Sequence, residues 1–290
     1  MKALITGASS GIGRDMAKYL SGLGCDLIIC GRNKEELERL QSSLKTCVKV
    51  VVIDLSSEKR VKDLYVITKN ENIDILINNA GFGLYGDYNS VDILTELSMI
   101  DVNIKAVHIL TRMFLKDMVK KDKGYILNVA SSAGLLYGGP LMSTYYATKG
   151  YVTDFTLAIS EELRRNKSNV RVAVLCPGPV STNFNKVAGV KFNISSLSSS
   201  YVAKYALSNL FYSNKLVIVP GFKVRVGLFF SRFLSKKSLL KITYKIQKKK
   251  SDKKWDILLD FHMMGLVLVA FKGRMDLELC KVRLRMLCLS

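Results

Sequence analysis

Tyr145 and Lys149 are the two side chains in this 290-residue sequence whose types and spacing most directly suggest acid–base chemistry. They are four residues apart in a segment with helical periodicity, so they are expected to share one face of a helix. A free tyrosine titrates near pH 10, about three units too high for this task at neutral pH, and a neighbouring ammonium group favours the phenolate. The pair predicts a proton-transferring tyrosine. Tyr146 lies about 100° around the helix and is interpreted as a packing residue.

A glycine-rich turn near the N-terminus suggests phosphate binding. A short apolar run leads into residues 6–13 (TGASSGIG) and then into a helical pattern. Glycines permit a tight turn and close approach of the backbone to a pyrophosphate, and the N-terminus of the following helix attracts phosphates. An ordinary strand-to-helix turn is the alternative. The order of strand, glycines and helix favours dinucleotide binding.

Short aliphatic runs alternate with longer helical patterns along the first 220 residues, which is typical of parallel strands joined by crossover helices. We predict strands at about 2–6, 26–30, 48–53, 74–78, 124–130, 170–175 and 216–219. We predict helices at 12–23, 34–44, 58–69, 92–119, 144–165 and 201–212. The predicted fold class is α/β, a Rossmann-type doubly wound parallel sheet of about seven strands flanked by helices.

Five motifs occur in order over about residues 1–220. They are the TGxxxGxG turn at 6–13, the NNAG sequence at 78–81, Ser131 and Ser132 after the fifth strand, YxxxK at 145–149 and CPGPVST at 176–182. In these motifs the chain resembles the short-chain dehydrogenase/reductase family. The resemblance implies an oxidoreductase that transfers hydride between a nicotinamide cofactor and a carbonyl or alcohol substrate.

The resemblance also implies roles for individual residues. Tyr145 would donate the proton, Lys149 would also hold the nicotinamide ribose, Ser131 would orient the substrate oxygen and Asn103 would serve a water-linked proton relay. The expected cofactor-binding residues are Gly7, Ser9, Ser10, Gly11, Ile12, Gly13, Arg32, Asp54, Asn79, Ala80, Gly81, Tyr145, Lys149, Pro177, Gly178, Val180 and Thr182. Asp54 could instead be an acidic residue at a helix N-terminus. We expect no metal site.

The catalytic serine has two candidates. Counting 13 residues back from Tyr145, a spacing common in the family, reaches Ser132, whereas counting seven from Gly124 at the start of the strand reaches Ser131. A sheet fixes the register of its strands, and the loop at 135–140 can absorb one extra residue. The strand count therefore favours Ser131.

Arg32 follows the second predicted strand, where a dinucleotide fold meets the adenosine ribose. An acidic residue here would accept hydrogen bonds from both ribose hydroxyls of NAD, whereas a guanidinium group suits a 2′-phosphate. The residue type favours NADP over NAD. Arg32 as a solvated loop charge is the alternative.

Lys and Arg number 44 against 24 Asp and Glu, which gives a formal net charge of +20. Residues 215–290 hold 18 of these basic and 5 of these acidic residues. We interpret 1–220 as the catalytic domain, with a lid and helix region at 183–214. Residues 221–250 are interpreted as a basic amphipathic helical extension, and 251–290 as a tail of unknown structure.

Composition bounds the partners and the setting. Six cysteines without metal-ligand spacing, and an N-terminus without a signal-peptide pattern, favour a cytoplasmic protein, with membrane association through 222–250 as an expectation. The lysines between 222 and 250 alternate with apolar residues and form no nucleic-acid motif, so we expect no nucleic-acid partner. The resemblance implies a homodimer or tetramer and a small-molecule substrate, and apolar residues in the loops favour an apolar one. The alternative function is a catalytically silent NADP-sensing module with a basic partner- or membrane-contacting tail.

Overall fold

The structure is a computed structural model that describes residues 1–182, 184 and 196–249, all within one compact unit. The strands are β1 Lys2–Thr6, β2 Asp26–Gly31, β3 Val48–Val52, β4 Ile75–Asn78, β5 Tyr125–Val129, β6 Arg171–Leu175, β7 Val180–Ser181, β8 Leu197–Ser198 and β9 Val217–Ile218. The α-helices are α1 Gly11–Gly22, α2 Lys34–Ser42, α3 Glu58–Thr68, α4 Ile93–Ile100, α5 Val107–Lys121, α6 Ser143–Arg165, α7 Ser199–Tyr212, α8 Phe222–Ser231 and α9 Lys236–Lys249. The tail at 251–290 and most of the expected lid lie outside the described residues.

Seven parallel strands form the main sheet in the order β3-β2-β1-β4-β5-β6-β9, which confirms the predicted Rossmann-type fold. Helices cover both faces. Alternate residues of β1 show this, because Ile5 packs into the core on one side of the sheet and Leu4 into the core on the other. Burial on both faces explains why the strands read as continuous apolar runs rather than alternating ones.

The register of β1 brings the three turns expected to bind the cofactor to one edge. Thr6 pairs with Cys30 of β2, and Ile5 pairs with Ile77 of β4. The glycine turn, the Arg32 turn and the Asn79 turn therefore leave the sheet side by side. The strand order also reverses direction between β1 and β4, which is where open α/β sheets bind ligands.

Two predicted segments differ from the structure. The long helix expected at 92–119 is divided into α4 and α5 by a π-helical segment, Asp101–Ala106, which contains Asn103. The helix expected at 201–212 begins earlier, at Ser199, directly after Leu197–Ser198, which pairs with Val180–Ser181. Ser198 caps α7 by accepting a hydrogen bond from the Tyr201 backbone N–H.

Among the residues that the structure describes, no helix has both the length and the apolar character that a membrane-spanning segment needs. The same part of the chain contains no group of His, Cys, Asp and Glu side chains arranged to hold a metal ion.

Candidate active site

A cleft of about 520 Å³ opens at the carboxyl edge of the sheet, above the point where the strand order reverses. It brings together the glycine turn, the ends of β2 and β4, the loop after β5 and one face of α6. Predicted site residues that line it are Gly7, Ser9, Ser10, Gly11, Ile12, Arg32, Asp54, Asn79, Ala80, Gly81, Ser131, Tyr145, Lys149, Pro177, Gly178, Val180 and Thr182. Two predicted residues, Gly13 and Asn103, lie behind its wall.

The glycine turn is fixed against the loop after β4. Gly7 has a φ of +65°, and a Cβ placed on it would lie 2.8 Å from the Ala80 Cα. The Thr6 hydroxyl accepts hydrogen bonds of 2.9 Å from the backbone N–H groups of Asn79 and Ala80. The Asn79 amide in turn donates to the carbonyls of Thr6 and Gly7, both at 3.0 Å. Glycine is therefore required at position 7 for both conformation and space.

The start of α1 fits a phosphate group. Its first turn contains no acidic side chain, and Ser10 makes no side-chain capping hydrogen bond. The first N–H groups of the helix are left for another acceptor, and the positive end of the helix dipole faces the cleft. Together with the glycine turn, this end of the cleft fits the pyrophosphate of a dinucleotide.

Gly13 was expected to contact the cofactor, and the structure places it behind the wall of the cleft. Gly13 is buried on α1, where a Cβ would overlap the Asn79 Nδ2 and the Gly7 carbonyl oxygen. Its glycine lets the helix approach the Asn79 turn closely. The residue therefore allows the glycine turn and the Asn79 turn to pack closely, and it does not line the cleft.

Arg32 and Asp54 lie at the opposite end of the cleft from Tyr145. Arg32 is exposed and forms no salt bridge within 4.0 Å among the described residues. Asp54 accepts a hydrogen bond of 2.9 Å from the Ser56 backbone N–H. This bond holds the pKa of Asp54 below its usual value, and Arg32 contributes in the same direction. Asp54 therefore has a local structural role in its turn as well as a place in the cleft.

Tyr145 and Lys149 lie on one face of α6, with the Lys149 Nζ 5.9 Å from the centre of the Tyr145 ring. The expected lowering of the Tyr145 pKa is not found. Burial raises the pKa of Tyr145 to about 12, and an interaction with the Ser131 hydroxyl acts in the opposite direction. The reason is that the Lys149 ammonium donates to the Val129 carbonyl at 2.9 Å instead of approaching the phenol. Tyr145 is held protonated.

Lys149 is itself buried, which lowers its pKa to about 8. Gly81 and Asn103 lie close to the Lys149 side chain. A Cβ placed on Gly81 would lie 3.2 Å from the Lys149 Nζ and 2.9 Å from the Asn103 Oδ1. Lys149 lines the cleft and shares one helix face with Tyr145.

Ser131, rather than Ser132, is placed toward Tyr145. The Ser131 side chain accepts a hydrogen bond of 3.1 Å from the Ala133 N–H and interacts with the Tyr145 hydroxyl. Ser132 begins a short 3₁₀ helix, and its backbone N–H donates to the Pro177 carbonyl at 2.8 Å. The geometry agrees with the count from the strand.

Asn103 was expected in the proton relay, and the structure places it just behind the cleft. It is fully buried in the π-helical segment, where its amide donates to the Phe82 carbonyl at 2.9 Å and to the Thr148 hydroxyl at 3.1 Å. Its Oδ1 accepts from the Phe82 N–H at 3.1 Å. These bonds tie the loop after β4 to α6. Asn103 therefore does not line the cleft itself but contacts Phe82, which does, and lies close to Gly81.

The end of the cleft beyond Tyr145 is largely apolar. Phe82, Met142 and Phe184 line it, and they belong to one cluster with Tyr145 and Tyr146. Leu84, Tyr85 and Leu136, from the neighbouring loops, join the same cluster, in line with the apolar loop residues noted in the sequence.

Sequence reasoning missed two residues that line this end of the cleft, Tyr146 and Gln247. Gln247, on α9, donates a hydrogen bond of 2.6 Å from its Nε2 to the Tyr146 hydroxyl. The two residues are 101 positions apart in the sequence, and no local pattern connects them. Tyr146 packs as expected, but its hydroxyl also takes part in a buried polar contact.

The model of the short chain dehydrogenase family matches residues 1–191, which include every motif named above. The chain belongs to this family. As a member of the short chain dehydrogenase family, it is an oxidoreductase. The match ends before α7, so the last three described helices lie outside it.

Individual relatives agree with this assignment. An uncharacterized short-chain type dehydrogenase/reductase of Sinorhizobium fredii is 39% identical over 188 residues, which are 64% of this chain and 72% of that protein. The fold is similar to that of a short-chain dehydrogenase from Sphingobium yanoikuyae in complex with NADPH, with a TM-score of 0.71 at 24% identity over 88% of this chain and 98% of that one. A short chain dehydrogenase/reductase from Burkholderia phymatum in complex with NAD gives a TM-score of 0.73 at 22% identity, with the same coverage of 88% and 98%.

Proposed function

We propose that the chain is an NADP-dependent oxidoreductase that interconverts a carbonyl and an alcohol group on an apolar substrate. The observation that carries this proposal is the cleft that joins a phosphate-binding turn, a basic side chain at the end of β2 and a buried Tyr145 facing Ser131. Two solved structures with this fold contain NADPH and NAD, respectively, which supports a nicotinamide dinucleotide as the cofactor.

Four residues of the chain have separate roles in the proposed reaction. When bound, the reduced nicotinamide supplies a hydride to the carbonyl carbon. Tyr145 gives its proton to the carbonyl oxygen, so that one hydride and one proton convert the carbonyl into an alcohol. Ser131 donates a hydrogen bond that holds this oxygen against Tyr145. Lys149 binds the ribose hydroxyls, and Asn103 and Lys149 serve the path along which Tyr145 regains its proton.

The silent binding module is the alternative function. Such a module needs the cofactor-binding half of the cleft but has no use for a protonated tyrosine buried against a serine and a lysine. In this structure Tyr145, Ser131 and Lys149 all line one cleft. Their convergence favours an enzyme.

The test is NADPH consumption by the full chain with a panel of aldehydes and ketones. We expect oxidation of NADPH with at least one apolar carbonyl compound. Failure to bind either NADPH or NADH would contradict the proposal, whereas tight NADPH binding without turnover of any panel member would support the silent module.

The preference for NADP rests on Arg32, which lines the cleft without a salt bridge among the described residues. A charge-assisted contact with the 2′-phosphate of roughly 1.5–3 kcal/mol corresponds to a preference of about ten- to a hundred-fold. Arg32→Ala is therefore expected to raise the KM for NADPH by about this factor and to change the KM for NADH little.

Arg39→Ala is the matched control for this variant, because Arg39 lies on α2, pairs with Glu36 at 2.6 Å and does not line the cleft. It should leave both KM values near those of the unmodified protein. Equal effects of Arg32→Ala on NADPH and NADH would contradict the NADP preference.

We further propose a homodimer or tetramer. The support is the set of apolar side chains that α4 leaves exposed, Ile93, Leu94 and Leu97. Exposed contiguous apolar residues of this kind are typical of protein–protein contacts. Light scattering on the protein as it elutes from a size-exclusion column measures the mass of the particle, which tests whether it is a dimer or a tetramer.

A peripheral contact with an anionic membrane through residues 222–250 is also proposed. Residues 222–250 contain ten Lys and Arg residues and no Asp or Glu. Phe222, Phe233, Leu240 and Tyr244 are exposed among them. Exposed apolar side chains in a strongly basic segment suit the interface of an anionic bilayer.

A further inference from the structure

The C-terminal helix α9 packs one stripe of side chains against the rest of the chain. Leu239, Thr243 and Gln247 follow at intervals of four residues and are 6%, 4% and 1% exposed. The stripe ends at the cleft, which Gln247 lines together with Tyr145 and Tyr146. A glutamine this deeply buried requires hydrogen-bonding partners, since an unpaired buried amide is costly.

Only one of the two amide atoms of Gln247 has a hydrogen-bonding partner among the described residues. Its Nε2 donates to the Tyr146 hydroxyl at 2.6 Å, while its Oε1 is buried and accepts no hydrogen bond among the described residues. The opposite orientation of the amide would leave the Nε2 group unpaired instead. In either orientation, one amide atom of Gln247 has no hydrogen-bonding partner among the described residues, and Gln247 lines the cleft.

We propose that Gln247 and Tyr146 bind a hydroxyl or second carbonyl group of the substrate, at a position separate from the carbonyl that Tyr145 protonates. This inference rests on the proposed function and specifies its substrate class: an apolar ketone or aldehyde that carries a second oxygen function. The Tyr145 and Tyr146 rings have centroids 6.3 Å apart, so both groups can be contacted by one small molecule. The apolar side chains of Phe82, Met142 and Phe184 line the same cleft, where the carbon skeleton would lie.

The alternative is that the contact between Gln247 and Tyr146 only holds α9 against α6. That role needs no more than the hydrogen bond between the two side chains, and a fully apolar residue could fill the same space. A buried amide atom without a hydrogen bond costs free energy, and a ligand that forms a hydrogen bond with it removes this cost. A substrate oxygen does so and is then selected over a methyl group of similar size.

The experiment uses matched pairs of ketones with the full chain: 4-hydroxycyclohexanone against 4-methylcyclohexanone, and 2-alkanones with a terminal hydroxyl against those with a terminal methyl group. The values of kcat/KM are measured with NADPH, and the dissociation constants with NADP⁺ are measured by nuclear magnetic resonance, so that binding is scored without turnover. We expect a preference of about tenfold for the hydroxylated member of at least one pair.

Gln247→Leu and Gln247→Met should reduce this preference to nearly none; the methionine variant keeps the unbranched shape of glutamine in case leucine does not fit. Tyr146→Phe should reduce the preference as well. Thr243→Val is the control, because the Thr243 hydroxyl bonds back to the Leu239 carbonyl at 2.8 Å and does not line the cleft, and it should retain the preference.

The possible failures are distinguishable. Loss of all NADPH and NADH binding would overturn the proposed function itself. Normal cofactor binding with no preference in any pair, with no binding of any ketone, or with the preference unchanged in both Gln247 variants would overturn the inference alone.

Discussion

A protonated tyrosine is the form that carbonyl reduction needs, because the group must release a proton to the developing alkoxide. Burial holds Tyr145 in this form by raising its pKa to about 12. The sequence suggested the opposite shift from the spacing of Tyr145 and Lys149 alone. Spacing indicates which side chains share a face, but the Val129 carbonyl that holds the ammonium belongs to a different element and is reached only in the folded chain.

The two serines differ in what their side chains contact. Ser131 interacts with Tyr145, whereas the described contact of Ser132 is through its backbone N–H to the Pro177 carbonyl. Ser131→Ala is therefore expected to reduce kcat by about a hundred-fold, since removal of one such donor typically costs this much or more. Ser132→Ala is the matched control and should reduce kcat far less. A larger loss in Ser132→Ala would show that the count from Tyr145 identifies the serine.

The lowered pKa of Lys149 predicts a pH-dependent affinity for the cofactor. The lysine is charged below its pKa of about 8 and becomes neutral above it. Because the charged form donates the stronger hydrogen bonds to the ribose, the dissociation constant of NADPH should rise by up to about tenfold as the pH passes above this value. Fluorescence titration at a series of pH values measures it.

Lys149→Met is the control for this titration, since it removes the ionisable group from the site. This variant should bind NADPH weakly even below a pH of about 8, and its affinity should not change as the pH is raised past the value at which Lys149 titrates. An affinity of the unmodified protein that stays constant across this range would contradict the proposed role of the ammonium.

At the scale of elements, the sequence predicts what local patterns encode. The aliphatic runs predict β1 to β6 to within one or two residues, and the glycine turn lies between β1 and α1 as the sequence indicates. The break between α4 and α5 has no such signal, since residues 101–106 contain neither proline nor glycine. The π-helical turn is instead accompanied by long-range bonds from Asn103 to Phe82 and Thr148.

The helices α8 and α9 show the same limit. Their amphipathic pattern predicts a helix with a basic face, which agrees with the exposed Lys241, Lys245 and Lys248 of α9. The pattern cannot predict that the opposite stripe packs against the rest of the chain and brings Gln247 to Tyr146 at the cleft. This contact leaves the basic face, rather than the whole helix, for another partner.

The basic surface of α8 and α9 predicts selective binding to anionic vesicles. The chain should co-sediment with vesicles that contain phosphatidylserine and not with pure phosphatidylcholine, and salt at about 0.5 M should release it because it screens the charges. Lys241→Glu combined with Lys245→Glu should weaken this binding, whereas Lys59→Glu on α3 should not. Equal binding to both vesicle types, or to neither, would contradict the membrane contact.

At the scale of the whole molecule, the two ends of one cleft are formed by different parts of the chain. The turns after β1, β2 and β4 form the end that fits a dinucleotide, and they lie within the part of the chain that matches the family. The far end is completed by Gln247, which lies beyond that match. The oxidoreductase family is therefore encoded in the shared part of the chain, and we propose that α9 contributes to the choice of substrate.

The central claim is that Tyr145 supplies the proton for a reaction that NADPH drives. Tyr145→Phe removes the transferable proton and preserves the ring, so it tests this claim most directly. Measured on the same preparation, NADPH oxidation with an accepted ketone should fall by about a hundred- to ten-thousand-fold, while the dissociation constant of NADPH stays within about twofold of the unmodified value. Turnover by Tyr145→Phe at a rate comparable to that of the unmodified protein would contradict the account.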